Sequence, residues 1–464
     1  MRATKPAALR ATPRLLSQRQ AQKSSREPQP LNHQAYIAQA RRRLQPGRAR
    51  PIFDYMSPTQ SHLLNTSLAG LVPTEVHYPK AFRKLLLDEP DLIPPPTVSE
   101  SLRTPHFSSS TQNPTTADGP IATLEGRQVG KEEEEEPVPM PVGHHLVYFG
   151  PQAKPGELLP DGTEAHTAPG APFTRRMWAG GRVSFPARPG GATGLLKIDG
   201  KKRGLRLDCT RAVCVEKVAG DPVIKGVQGK EKVFVEISRK YGRIDDRKEL
   251  ATSVRDVEDY PDIDETRTLV FMRELGDETG VPPQKAQTEK GEESADAGGA
   301  VKEMKEEEPP KERDMTRLKR LKDKNWTPTY SFSLTPTKQL LFQFSALTFN
   351  AHRIHLDQRY AQEVEGHRDL LVHGPLSLSL LLMVVRAQAD RLAGSIEFRE
   401  LNYRNLAPLY VDEEMKVCVR HRVAGLASPE GGREEQDWDV WVEGPDGGFA
   451  VKGTATVVLT KTPS

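Results

Sequence analysis

Two short stretches carry residues able to do chemistry. SALTFNAHRIHLD, Ser345 to Asp357, sets Asn350, His352 and His355 close together. LVHGPL, Leu371 to Leu376, begins sixteen residues after His355 and puts a Gly-Pro pair at the head of a long apolar run. With an unperturbed pKa of about 6.5, a histidine can take or give a proton near neutral pH. The first N–H groups of a helix, here that of Gly374, can hold negative charge developing on an oxygen. Together they suit proton transfer beside a carbonyl. An asparagine has no proton to exchange, so Asn350 can only orient water or substrate, or cap a turn. His352 and His355 form an HxxH pair with no evident third ligand, so neither a metal nor another cofactor is expected.

Regular elements must hold these residues in place. PLSLSLLLMVVRAQADRL, Pro375 to Leu392, is apolar nearly all round. Its proline suits a first helical turn, where the missing N–H would have had no partner. A helix so apolar is buried on most sides. SIEFRELNY, EMKVCVRHRV, DWDVWVEG and FAVKGTATVVLT follow as strand candidates. One buried helix wrapped by an antiparallel sheet predicts an α+β arrangement. Earlier in the chain, HHLVYF and FTRRMWAGGRVSF read as buried segments. LRLDCTRAVCVEKV, EKVFVEISRKYG and TRTLVFMRE have strand length and strand composition. Gly180, Gly181, Gly190 and Gly191 form no GxGxxG ahead of a helix, so no nucleotide site is read there.

A chain of 464 residues has room for two or three domains. Four blocks are expected. Residues 1–55 read as a basic presequence and disordered tail, and 56–275 as a first folded unit with an acidic linker near 93–140. Residues 276–325 read as a second acidic, low-complexity linker, and 326–464 as the unit holding the histidines. The net charge of +3 divides into +11 over residues 1–50 and −8 over the rest. The body is not basic, which argues against nucleic acid as a ligand. MRATKPAALRATPRLLSQRQAQKSSR is rich in Arg, Ala and Ser before its first acid, the composition of a mitochondrial presequence. The mitochondrial matrix is therefore the expected location. No run of eighteen apolar residues occurs, so no membrane span is expected. The three cysteines form no CxxC pair and read as isolated thiols.

LLFQFSALTFNAHRIHLD, LVHGPLSLSLLL and YRNLAPLYVDEEMKV, with HHLVYF and PFTRRMWAGGRVSF upstream, resemble the MaoC-like hot-dog hydratase/dehydratases. Within that group they resemble the mitochondrial type 2 3-hydroxyacyl-thioester dehydratases in their fungal form, and the related mesaconyl-CoA hydratases. The resemblance covers about 141–275 and 326–460. It implies a double hot-dog in one chain, two antiparallel sheets each wrapping a central helix, with a non-catalytic first unit. It implies a hydro-lyase that takes water from a (3R)-3-hydroxyacyl thioester of acyl carrier protein or CoA to give the trans-2-enoyl form. A homodimer is one expectation for its assembly. By the same resemblance His355 is the acid/base, Asn350 orients the water or hydroxyl, and Gly374 holds the thioester oxygen, with His373 and His352 beside it. Arg175, Arg176 and Arg404 would contact the phosphopantetheine or CoA arm, or else serve structure alone. The family's hydratase motif places an aspartate five residues before its histidine, where this chain has Asn350. Two alternatives stay open. One is a hydratase of short dicarboxylic acyl-CoA, which needs a cation for the second carboxylate. The other is a non-catalytic acyl-thioester-binding protein.

Overall fold

The structure, a computed structural model, describes residues 31–78, 138–186, 197–198, 201–202, 204–274, 326–392, 395–422 and 433–460. The Arg-rich stretch of residues 1–26, the glutamate run, the second acidic linker and the basic segment 315–324 lie outside the described residues. The helices are α1 (His33–Leu44), α2 (Pro58–Leu68), α3 (Thr74–His77), α4 (Leu250–Asp259), α5 (Lys338–Thr348), α6 (Gln358–Glu363) and α7 (Gly374–Ala389). The main strands are β1 (Arg50–Tyr55), β2 (Phe173–Ser184), β3 (Arg211–Val218), β4 (Lys232–Arg243) and β5 (Ile263–Arg273). A second set follows: β6 (Tyr330–Leu334), β7 (Ser395–Asn405), β8 (Met415–His421), β9 (Arg433–Glu443) and β10 (Phe449–Thr460).

All ten strands are joined antiparallel in one sheet, in the order β1-β3-β4-β5-β2-β7-β10-β9-β8-β6, and Val223–Lys225 adds a short strand beside β4. The order is an internal repeat. Each half runs outward strand, helix, inward strand, then three strands filling the space between. The expectation of two separate sheets is corrected here, because β2 and β7 pair edge to edge from Glu400↔Ser184 to Arg404↔Gly180. An edge strand left bare offers unpaired N–H and C=O groups, and joining the halves removes two such edges. Gly180 makes the joint possible, and Gly181 lets β2 lie close against β5. A Cβ on Gly181 would meet Thr266 O at 2.1 Å, and one on Gly180 would meet Tyr403 O at 2.5 Å. Their smallness serves backbone approach.

The apolar run becomes α7 as its composition predicts, and every residue from Leu376 to Val385 is buried. It packs against β7, β8 and β9 in the C-terminal half, and against the 3-10 turn His144–Val147 from the N-terminal half. No helix like α7 occurs among the described residues of the N-terminal half, which departs from one central helix per unit. α2 and α5 do correspond: each has eleven residues and follows an outer strand. Counting on from their last residues, Gly70, Val72 and Glu75 stand where the second half has Asn350, His352 and His355.

Residues 31–55 are not a disordered tail. Asn32 caps α1 by accepting a hydrogen bond from Ala35 N. Tyr36, Ala40 and Leu44 then form an i, i+4, i+8 stripe buried with Phe173, Val218 and Val235. β1 pairs with β3, so the first folded unit begins before residue 56. No helix among the described residues is long and apolar enough to cross a membrane.

Candidate active site

The histidine cluster is built on the end of α5. Thr337 caps that helix through a hydrogen bond from Leu340 N, and Phe349 closes it in the left-handed region at φ 51°. The chain then turns, with Asn350 N donating to Ser345 O (2.9 Å), and enters the 3-10 turn Arg353–His355. Asn350 Oδ1 accepts from His352 N at 3.0 Å. That bond fixes the amide, so Asn350 Nδ2 is the group left to donate into the cavity that Asn350 lines.

His355 is buried, and its Nδ1 meets Leu371 O at 2.8 Å. A carbonyl can only accept, so Nδ1 carries the proton and Nε2 keeps the lone pair. Leu371 is itself pinned, since its N–H donates to Ile354 O and its neighbour Val372 donates to Leu409 O. Burial pulls the His355 pKa down to about 4. At neutral pH the ring is therefore an uncharged base of fixed tautomer.

His373 lies behind that ring rather than in the cavity. It is fully buried, stacks on His355 with centroids 3.7 Å apart, and binds Ser345 Oγ through Nε2 at 2.8 Å. Burial holds it far below the usual histidine range, so it stays neutral and repels no proton on His355. The expectation that His373 shapes the thioester pocket becomes a supporting contact. His352 does line the cavity, edge-on to His355 at 5.5 Å. On its far side Nε2 lies 3.8 Å from Asp161 Oδ2, a carboxylate from the N-terminal half that sequence reasoning did not pick out. The turn bearing Asp161 presses so closely that a Cβ on Gly162 would sit 2.0 Å from Ala351 O.

α7 begins at Gly374, and both Gly374 and Pro375 line the same cavity, which has a volume of about 590 Å³. Its walls come from both halves of the chain. Ile354, His355, Leu371, Val372 and Leu409 belong to the C-terminal half. Phe149, Arg176, Met177, Trp178, Arg239 and Arg267 belong to the N-terminal half. Trp178 crosses to the head of α7, since a Cβ on Gly374 would lie 3.2 Å from Trp178 Cβ and 3.4 Å from Asn405 Nδ2. Asn405 Nδ2 in turn donates to Trp178 O at 2.8 Å.

The three arginines singled out from sequence separate. Arg404 is exposed and does not line the cavity; its neighbour Asn405 does. Arg175 does not line it either. Its Nε and Nη2 grip Glu365 Oε2 and Glu365 O, both at 2.8 Å, which ties β2 to the loop ahead of Leu371. Arg176 does line the cavity, held by Thr167 Oγ1 at 3.0 Å and Glu164 Oε2 at 2.9 Å.

The hydroxyacyl-thioester dehydratase type 2 family matches residues 143–299 and 300–411, more than half of the chain. The chain belongs to that family. The chain is 40% identical over 122 residues to the mesaconyl-C(4)-CoA hydratase of Chloroflexus aurantiacus, a stretch covering 26% of this chain and 38% of that one. It is 32% identical over 92 residues to the mitochondrial hydroxyacyl-thioester dehydratase type 2 of Schizosaccharomyces pombe, covering 20% of this chain and 30% of that one. The matched stretches thus span under two fifths of either relative. Among solved structures, a MaoC domain protein dehydratase from Chloroflexus aurantiacus aligns over 89% of this chain and 96% of its own, at 11% identity and a TM-score of 0.40.

Proposed function

We propose that the protein is a hydro-lyase acting on (3R)-3-hydroxyacyl thioesters. The observation that carries this reading is the lone-pair Nε2 of His355 in a cavity shared with the N-terminus of α7. In the elimination, His355 Nε2 takes the α-proton as the Cα–H pair shifts toward the carbonyl and charge gathers on the thioester oxygen. The Gly374 N–H, aided by the helix dipole, stabilises that oxygen. The enolate electrons then form the Cα–Cβ double bond and expel the 3-hydroxyl, which takes the proton back from His355 and leaves as water. Asn350 Nδ2 donates to that hydroxyl, and no cofactor enters the balance.

We read the two five-strand repeats as two hot-dog units, the second catalytic and the first supplying the facing wall. The presequence-like composition of the N-terminus and the mitochondrial name of the yeast relative support placing the reaction on acyl carrier protein in mitochondrial fatty acid synthesis. A second reading, a hydratase of short dicarboxylic acyl-CoA, is favoured by the arginines that line the cavity.

The full chain should hydrate crotonyl-CoA or dehydrate a 3-hydroxyacyl carrier protein. Turnover of neither, nor of mesaconyl-CoA, would overturn the reading and leave an acyl-thioester-binding protein. Asn350→Asp should retain turnover and add a second ionisation to the pH profile of kcat/KM, because a titrating oxygen replaces a neutral donor. An unchanged profile would place residue 350 away from the reacting water. Gly374→Ala should lower kcat/KM roughly tenfold, the order expected from displacing one preorganised donor without removing it. Its added methyl is wedged against Trp178 and Asn405, and unaltered kcat/KM would mean that the thioester oxygen rests elsewhere.

A further inference from the structure

The cavity wall contributed by the N-terminal half is not the plain apolar surface that an alkyl chain would need. β4 and β5 are neighbours with Arg239↔Glu265 and Ile237↔Arg267 in register, so Arg239 and Arg267 are diagonal partners on one face, and both line the cavity. Arg239 is buried, with Nε 3.3 Å from Glu216 Oε2 and Nη2 donating to Phe149 O at 2.9 Å. Arg267 donates through Nε and Nη2 to Glu265, and its guanidinium lies 4.8 Å from the centre of the Trp178 ring. Among the described residues, the Nη1 of each arginine has no hydrogen-bond partner.

We propose that Arg239 and Arg267 form an anion-binding subsite that receives a carboxylate at the far end of the acyl group. Buried Arg–Glu pairs confer little stability over apolar side chains of similar volume, so stability alone does not account for two of them set beside a cavity. The glutamates keep the arginines charge-balanced without a ligand, and the remaining N–H groups suit the two oxygens of a carboxylate. Trp178 links the subsite to the reaction centre. Its ring packs under Arg267 while its Cβ lies beside Gly374. An acyl group with its thioester oxygen at the Gly374 N–H thus has Arg267 within reach of a short chain. This inference rests on the acyl-thioester reading above and selects its second form, a hydratase of short dicarboxylic acyl groups, over a role in fatty acid synthesis.

Binding decides it without catalysis. Titration calorimetry on the full chain should show succinyl-CoA binding at least roughly tenfold tighter than butyryl-CoA, the worth of one hydrogen-bonded charge. The two differ only in whether a carboxylate or a methyl ends the chain. A phosphate on the carrier arm offers similar oxygens, so the pair is repeated as N-acetylcysteamine thioesters, which carry none. The same preference there assigns the subsite to the acyl group; equal affinities of the N-acetylcysteamine pair would overturn the assignment. Arg267→Gln combined with Glu265→Gln removes a charge pair as a unit and should abolish the preference, with circular dichroism confirming the fold. Should that double variant not fold, Arg239→Lys, which keeps the charge but loses the planar fork, should reduce the preference. Equal affinities in the unsubstituted protein, or a preference surviving in the folded variant, would defeat the proposal. Failure to turn over crotonyl-CoA, a 3-hydroxyacyl carrier protein and mesaconyl-CoA with the preference intact would instead remove only the catalytic reading.

Discussion

Replacing His355 with alanine should lower turnover of a 3-hydroxyacyl thioester by roughly 10²–10⁴-fold, the usual contribution of a positioned acid/base. Three features put His355 in that role. Leu371 O fixes the proton on Nδ1, His373 stacks behind the ring, and the cavity lies at the remaining nitrogen. Asn350 offers no ionisable group that could take over, and burial and the neighbouring His355 hold the His352 pKa far below its usual range, which makes it a poor proton acceptor. His355→Gln is the sharper control. Its amide can still donate toward Leu371 O and fill much of the space, yet it has no basic nitrogen. Both variants should bind acyl-CoA nearly as the unsubstituted protein does, so the loss falls on kcat and not on KM. Turnover within about twofold of normal in either folded variant would take His355 out of the reaction, since that is far below any acid/base contribution.

A second large effect is expected from acid. Burial lowers the pKa of His144 to about 3, and those of His145 and His355 to about 4. Folded, these rings stay neutral; unfolded, they take up protons below about 6.5. The unfolded state therefore binds more protons between about pH 6.5 and 4, and stability falls as pH falls through that window. Each buried ring costs about 1.4 kcal/mol per pH unit there, or roughly 2 kcal/mol at pH 5. Three together approach the total stability of an ordinary domain, about 5–15 kcal/mol. Glu216 and Glu265, held down to about 2 by charged neighbours such as Arg239 and Arg267, add their own losses at lower pH, in the same direction. Urea unfolding at pH 7, 6 and 5 should show a steep decline, and His145→Phe should flatten it. A stability that is level from pH 7 to 5 would contradict the burial of these rings. Because His355 itself ionises low, activity lost between pH 6 and 5 should follow unfolding and not protonation of the base.

The parts of the fold that depend on local pattern were legible. The unbroken apolar run after Pro375 gave α7, and alternating runs gave most of the strands. α1 was not, because arginines on its outer face dominate the composition and hide the Tyr36, Ala40 and Leu44 stripe. The continuous sheet was not legible either, since the pairing of β2 with β7 joins residues more than two hundred positions apart. In the candidate site, the spacing of Asn350, His352 and His355 pointed to a loop that lines the cavity. What failed was direction. Arg404 attracted attention through its charge, but the pleat turns it to solvent and turns Asn405 to the cavity. Arg239 and Arg267 sat unremarked in strands that read as ordinary, and only the closure of the two halves gives them a common space.

The paired glycines at the joint also act as an alignment gauge. Trp178 is two residues from Gly180 on β2, and Asn405 follows Arg404, the partner of Gly180 on β7. Any bulk that shifted this ladder by one register step would slide the tryptophan about 3.3 Å along α7's first turn and turn it to the opposite face. The groups that meet at the head of that helix are thus set by two residues with no side chain, neither of which lines the cavity.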